Sequence, residues 1–126
     1  MTLEESIKGL LKTQELLHSK EGINNPEFMS ENMSRLSQYT SSVESHLADI
    51  EKEYERLLGE KLHKYLVEDR IAVTKADKLS KVELSEYRAN IAYLTRVVAS
   101  SWKVVSTIQS RFRHLESELI SGSKTT

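Results

Sequence analysis

The stretch LSEYRANIAYLTRVVASSWKVVSTIQSRFRHLESEL, residues 84–119, decides the fold. Leu84, Tyr87, Ile91, Leu94, Val98, Ser101, Val105, Ile108, Phe112, Leu115 and Leu119 follow one another in alternating steps of three and four. That period keeps one seam of a helix turned toward a neighbouring helix, and only Ser101 in it is not apolar. Between Tyr87 and Leu115 the bases Arg88, Arg96, Lys103, Arg111 and Arg113 occur with no Asp or Glu. A long packing helix with an acid-free basic side is expected to meet something anionic.

The same period recurs upstream. Met33, Leu36, Thr40, Val43, Leu47, Ile50, Tyr54 and Leu57 form a second seam, which slips by one residue at Gly59 to Leu58, Leu62 and Tyr65. Pro26 suits the first turn of this helix, and Asn25 suits its cap. Before it, Thr2 and Glu5 have the spacing of a capping box. Leu3, Ile7, Leu10, Leu11 and Leu17 mark a short first helix over about 3–19, with Gly22 as its stop. Residues 67–74 read as a connector with some strand character at Arg70-Ile71-Ala72-Val73, and Thr74 as a cap for a helix beginning at Lys75.

The expected architecture is therefore all-α. It comprises an N-terminal helix (1–20), a long antiparallel helical hairpin (26–119) and a disordered tail (120–126). The hairpin divides into helix 2 at about 26–66, the connector at 67–74 and helix 3 at about 75–119. Each long helix spans roughly 55–65 Å at about 1.5 Å per residue. Ala92, Val97, Trp102 and Val104 widen the apolar face of helix 3 beyond a two-stranded seam. A homo-oligomeric bundle or ring is expected to cover the excess.

Composition bounds the function. At 126 residues the chain is one domain at most. Cysteine is absent, which excludes disulfides and thiolate metal sites. No apolar run reaches the ~18 residues of a spanning helix. A soluble, cytoplasmic protein without membrane contact is expected. Net charge is −1, but residues 1–60 carry 6 Lys/Arg against 12 Asp/Glu, and residues 61–113 carry 11 against 5. That asymmetry fits a local anion-binding surface and equally fits pairing between the two halves. In an antiparallel pair, Lys81 or Arg88 would meet Glu51 across the seam. Lys61, Lys64, Arg70, Lys75 and Lys78 around the connector, and Arg96 and Lys103 away from the seam, would remain for a partner. Tyr65 and Tyr93 are the rings best placed for exposure among these bases, and stacking rings on a basic track hold single strands. Tyr87 and Trp102 read as core.

Enzyme chemistry finds no support. There is no Gly-rich phosphate loop, nucleophile elbow or Cys–His pair. Glu15/His18 and Glu60/His63 have the Glu-x-x-His spacing of di-iron bundles, but the chain lacks the further core-facing carboxylates such sites need. Neither a metal nor another cofactor is expected.

Lys61-Leu62-His63-Lys64-Tyr65, a polar connector, Tyr93-Leu94 and Ile108-Gln109-Ser110-Arg111 resemble the UvsY-like recombination mediators of tailed phages. The resemblance covers residues 36–118. Leu66-Val67-Glu68-Asp69 stands where that family has a Ser/Gly turn, and Leu94 where it has a Trp. The resemblance implies an oligomeric, non-enzymatic single-stranded DNA-binding protein in the host cytoplasm. It would help load a recombinase where a single-strand-binding protein sits, with Lys61 and Lys64 on the DNA. The alternative reading is a helical scaffold or adaptor that works through self-assembly and protein contacts.

Overall fold

A computed structural model describes residues 1–19 and 24–124, apart from the side chains of Leu115, Leu119 and 121–124. Among the described residues it contains four α-helices and no strand: α1 (Leu3–Leu17), α2 (Pro26–His63), α3 (Val73–Glu83) and α4 (Ser85–Lys124). A π-helical turn, Lys64–Glu68, extends α2. The seam positions Leu115 and Leu119 and the expected stop at Gly22 lie outside what is described.

The starts of α1 and α2 follow the sequence closely. The Thr2 hydroxyl accepts from the Glu5 amide at 3.2 Å while the Thr2 amide donates to the Glu5 carboxylate at 3.3 Å, which satisfies two otherwise unpaired donors. Asn25 Oδ1 accepts from the Phe28 amide at 3.2 Å, and Pro26 opens α2. The one-residue slip at Gly59 leaves α2 unbroken.

Helix ends depart from expectation. α1 stops at Leu17, two residues early, with His18 as its C-cap. The regular α2 ladder stops at His63, and the next turn widens: the Asp69 amide reaches the Lys64 carbonyl at 3.0 Å, and the Ile71 amide reaches that of Tyr65 at 2.8 Å. Arg70 closes this end in the left-handed region, at φ 51°. Glycine usually takes that position because it has no Cβ to clash, so an arginine there hides the stop from a reading of turn residues. The stretch Arg70–Val73 forms no strand. Ala72, not Thr74, precedes the next helix, and it makes no side-chain cap bond. The expected helix 3 is two helices: Leu84 leaves helical geometry at φ −100°, ψ 20°, although its amide still bonds Ser80 and its carbonyl still accepts from Arg88, each at 3.1 Å. α4 continues to Lys124, so residues 120–124 are helical where a polar tail was expected; Thr125 and Thr126 lie outside the described residues.

The chain forms two compact units, Met1–Val43 with Val97–Thr126, and Glu44–Arg96. In the first, Leu10, Leu17, Met29, Leu36, Val43, Val105 and Ile108 form the core. Hydroxyls accompany them: Ser6 meets Ser42 at 2.7 Å, and Thr40 meets Ser101 at 2.5 Å, so the one polar seam position of α4 is answered by a polar seam position of α2. The Thr13 and Thr40 hydroxyls also donate to the carbonyls four residues back, at 2.6 Å each, which lets them be buried without loss of a hydrogen bond. α1 turns Ser6, Leu10, Thr13 and Leu17 inward, while Leu11, expected on that face, is exposed. A Cβ on Gly9 would run into the Tyr39 ring, so the missing side chain lets the two helices approach closely. Asn32 is the exception to polar satisfaction. It is 2% exposed, its amide donates to the Phe28 carbonyl at 2.9 Å, and its Oδ1 has no partner among the described residues.

The second unit is built differently. Ala76, Ser80, Leu84 and Leu94 are its only fully buried residues. Its remaining seam positions, Leu47, Ile50, Tyr54, Leu57, Leu58, Leu62, Tyr87 and Ile91, are half-buried. Val67, Val73 and Val82 are 60%, 70% and 70% exposed.

Candidate functional site

The second unit holds every expected contact residue but one; Lys103, exposed, belongs to the first unit. Lys64, Arg70, Lys75, Lys78, Arg88 and Arg96 are exposed, as is Tyr93 at 46%. These residues come from the π-turn, the connector, α3 and the start of α4. Their exposure has a common cause: the seam positions of these elements take the apolar residues, and the long basic side chains fall on what remains.

Lys61 and Tyr65 sit differently. Lys61 Nζ donates to Glu83 Oε2 at 2.7 Å, and the Tyr65 hydroxyl donates to the other carboxylate oxygen of Glu83. The last residue of α3 thus clasps the end of α2. Lys61 and Glu83 are one-third and two-fifths exposed, so the clasp lies at the surface. The Glu83 carboxyl is held below its ordinary range, first by the Lys61 hydrogen bond and then by that of Tyr65, with the nearby Lys64 charge also contributing. The Tyr65 phenol is raised, mainly because its proton is held by Glu83, with the charges of Glu83 and Asp69 adding. Lys61 and Tyr65 are therefore engaged within the chain, whereas the sequence presented both as available.

Among the described residues neither Lys81 nor Arg88 forms the expected seam pair with Glu51. Lys81 Nζ instead lies 3.1 Å from Asp77 Oδ2, one turn back on the same helix, where the partner is already within reach. On α2, Arg56 bridges Glu53 and Glu60, the latter at 2.5 Å. Hydrogen bonding to Arg56 lowers the Glu53 carboxyl, and the two carboxylates raise the guanidinium further. This clamp ties Glu53 and Glu60 together through Arg56, a local role that the one-letter pattern does not disclose.

Of the two Glu-x-x-His pairs, Glu60 bonds Arg56, and His18 Nδ1 lies 2.7 Å from the Gln14 carbonyl. Among the described residues, no three His, Asp or Glu side chains are grouped as a metal ion would require. No helix among them is long and apolar enough to cross a membrane.

In the first unit, Leu17, Val104 and Ile108 floor an open recess rimmed by His18, Lys103 and Arg111. A second one lies between Ser30 and Met33 of α2 and Gln109, Phe112, Arg113 and Glu116 of α4. No protein-family model, curated protein sequence or solved structure matches this chain.

Proposed function

We propose that the protein is a non-enzymatic, homo-oligomeric accessory protein that binds single-stranded nucleic acid through the basic end of its second unit. The observation that carries this reading is the set of exposed cations there. With Lys61 paired to Glu83 and Lys81 to Asp77, residues 64–96 still turn Lys64, Arg70, Lys75, Lys78, Arg88 and Arg96 to solvent, against the exposed acids Glu68, Asp69 and Glu86 of the same stretch. Tyr93, between Arg88 and Arg96 on α4, offers an exposed ring, and stacking with phosphate neutralisation holds single strands without sequence preference. The more specific role, helping a recombinase load in the presence of a single-strand-binding protein, rests on the resemblance to UvsY-like mediators.

The pairing of Thr40 with Ser101, and of Ser30 and Met33 with residues near Phe112, supports an antiparallel α2/α4 hairpin, because one numbering rises as the other falls. Self-association is supported by the thin core of the second unit. Four buried residues do not cover the apolar positions that α2 and α4 present there, and a neighbouring copy would complete them. An assembly also multiplies phosphate contacts, which one subunit supplies weakly.

The test is binding to a fluorescent single-stranded oligonucleotide across a salt series. Affinity should fall steeply with salt, and each lost phosphate contact should remove about 0.7 from the logarithmic slope. Lys64→Ala/Arg70→Ala/Lys75→Ala should weaken binding and flatten that slope. Absence of binding at low salt would dispose of the reading. The exposed Val67, Val73 and Val82 favour the alternative, a scaffold acting through protein contacts, which then becomes the leading account.

A further inference from the structure

We infer that Glu83 is an internal competitor for the anion that this site binds, and that it determines how strongly a polyanion must bind to recruit Lys61. The inference rests on the nucleic-acid reading of the second unit. Its basis is the clasp geometry. Each oxygen of the Glu83 carboxylate accepts from one donor, Lys61 Nζ at 2.7 Å and the Tyr65 hydroxyl. An anionic oxygen pair held by an ammonium and a hydroxyl is also how a phosphate would be received.

The surroundings allow exchange. The ion pair is at the surface, where such contacts contribute little and yield to competing ions. Glu83 is the last residue of α3, directly before the dislocation at Leu84. Leu84 itself is buried and anchors the backbone, so the Glu83 side chain can swing out without opening the core. On the other side, Lys61 lies in the last regular turn of α2 and Tyr65 in the π-turn, closed by the strained Arg70. Irregular backbone and strain of this kind gather at functional sites. A tethered carboxylate has a high local concentration and outcompetes a free monovalent anion. A strand already held at Lys64, Lys75 and Lys78 is tethered too, and it can displace Glu83.

A clasp that only braced α2 against α3 predicts the opposite sign from an internal competitor: Glu83→Gln would bind nucleic acid no better, or worse. Anisotropy titrations with a labelled oligothymidylate, run over a NaCl series, separate the two. Glu83→Gln should bind roughly three- to fivefold tighter at low salt, the range expected for releasing one surface ion pair. Its salt slope should steepen by about 0.7, one added phosphate contact. Adding Lys61→Ala to Glu83→Gln should cancel both changes, and thermal melts should show each variant folded. If Glu83→Gln is unchanged or weaker, while Lys64→Ala/Arg70→Ala/Lys75→Ala loses binding, the inference is wrong and the nucleic-acid reading stands. If neither wild type nor Glu83→Gln binds at low salt, that reading falls and takes the inference with it.

Discussion

Asn32 shows how a single side chain departs from the logic around it. Among the described residues of the first unit, every other fully buried polar side chain, Ser6, Thr13, Thr40 and Ser101, is hydrogen-bonded, and each shares its hydroxyl with a facing helix or its own backbone. The Asn32 carbonyl oxygen is buried without a partner. Leaving such a group dry costs on the order of 1–3 kcal/mol. Asn32→Leu, with the same branched skeleton of side-chain heavy atoms, should therefore raise the unfolding free energy by about 1 kcal/mol, measured by urea titration. A decrease would mean that this oxygen has a partner in solution, for which an ordered water is the simplest candidate. Glu83 is a different case: its partners are complete, and its interest lies in their being cations that a ligand would also want.

At the scale of elements, two glycines in helices have opposite surroundings. Gly9 of α1 faces the Tyr39 ring, with no room for a methyl group; around Gly59 of α2 nothing lies within 4 Å of an added Cβ. Gly9→Ala should destabilise by about 1–3 kcal/mol through overpacking, despite the better helix propensity of alanine. Gly59→Ala should stabilise by roughly 0.5–1 kcal/mol, because only backbone entropy changes. Thermal or denaturant melts of both variants check the pair, and equal effects would contradict the close approach of α1 to α2. The starts of α1 and α2 were legible because Thr2, Glu5, Asn25 and Pro26 act through local chemistry. The end of α2 was not legible, because Arg70 takes a backbone position that its side chain does not announce.

For the whole molecule, the difference between its two units matters most. The first has a continuous core from three helices, and the second leaves valines exposed and seam residues half-covered. If a second copy covers that surface, sedimentation equilibrium should give a mass above that of one chain, rising with concentration until assembly is complete. Val67→Asp/Val73→Asp, placed at exposed positions, should lower that mass while leaving helicity unchanged by circular dichroism. A single-chain mass at every concentration would remove the oligomer from the proposed function.

The sequence by itself determined the all-α class, the starts of α1 and α2 and most of the positions that face inward on α2 and α4. Each of these depends on local chemistry or on a period carried within one helix. It also located the basic residues, since charge needs no fold to be counted. Tertiary structure decided which of those charges remain available. Lys61 and Glu83 are 22 residues apart, and nothing local couples them. The same holds for the Ser6–Ser42 and Thr40–Ser101 pairs, and for the space that Gly9 leaves to Tyr39. Contacts between distant residues depend on how helices are brought together, which periodicity within a helix does not specify. The basic connector was visible as a run of lysines; that its first lysine is held by a glutamate of α3 was visible only once the chain was folded.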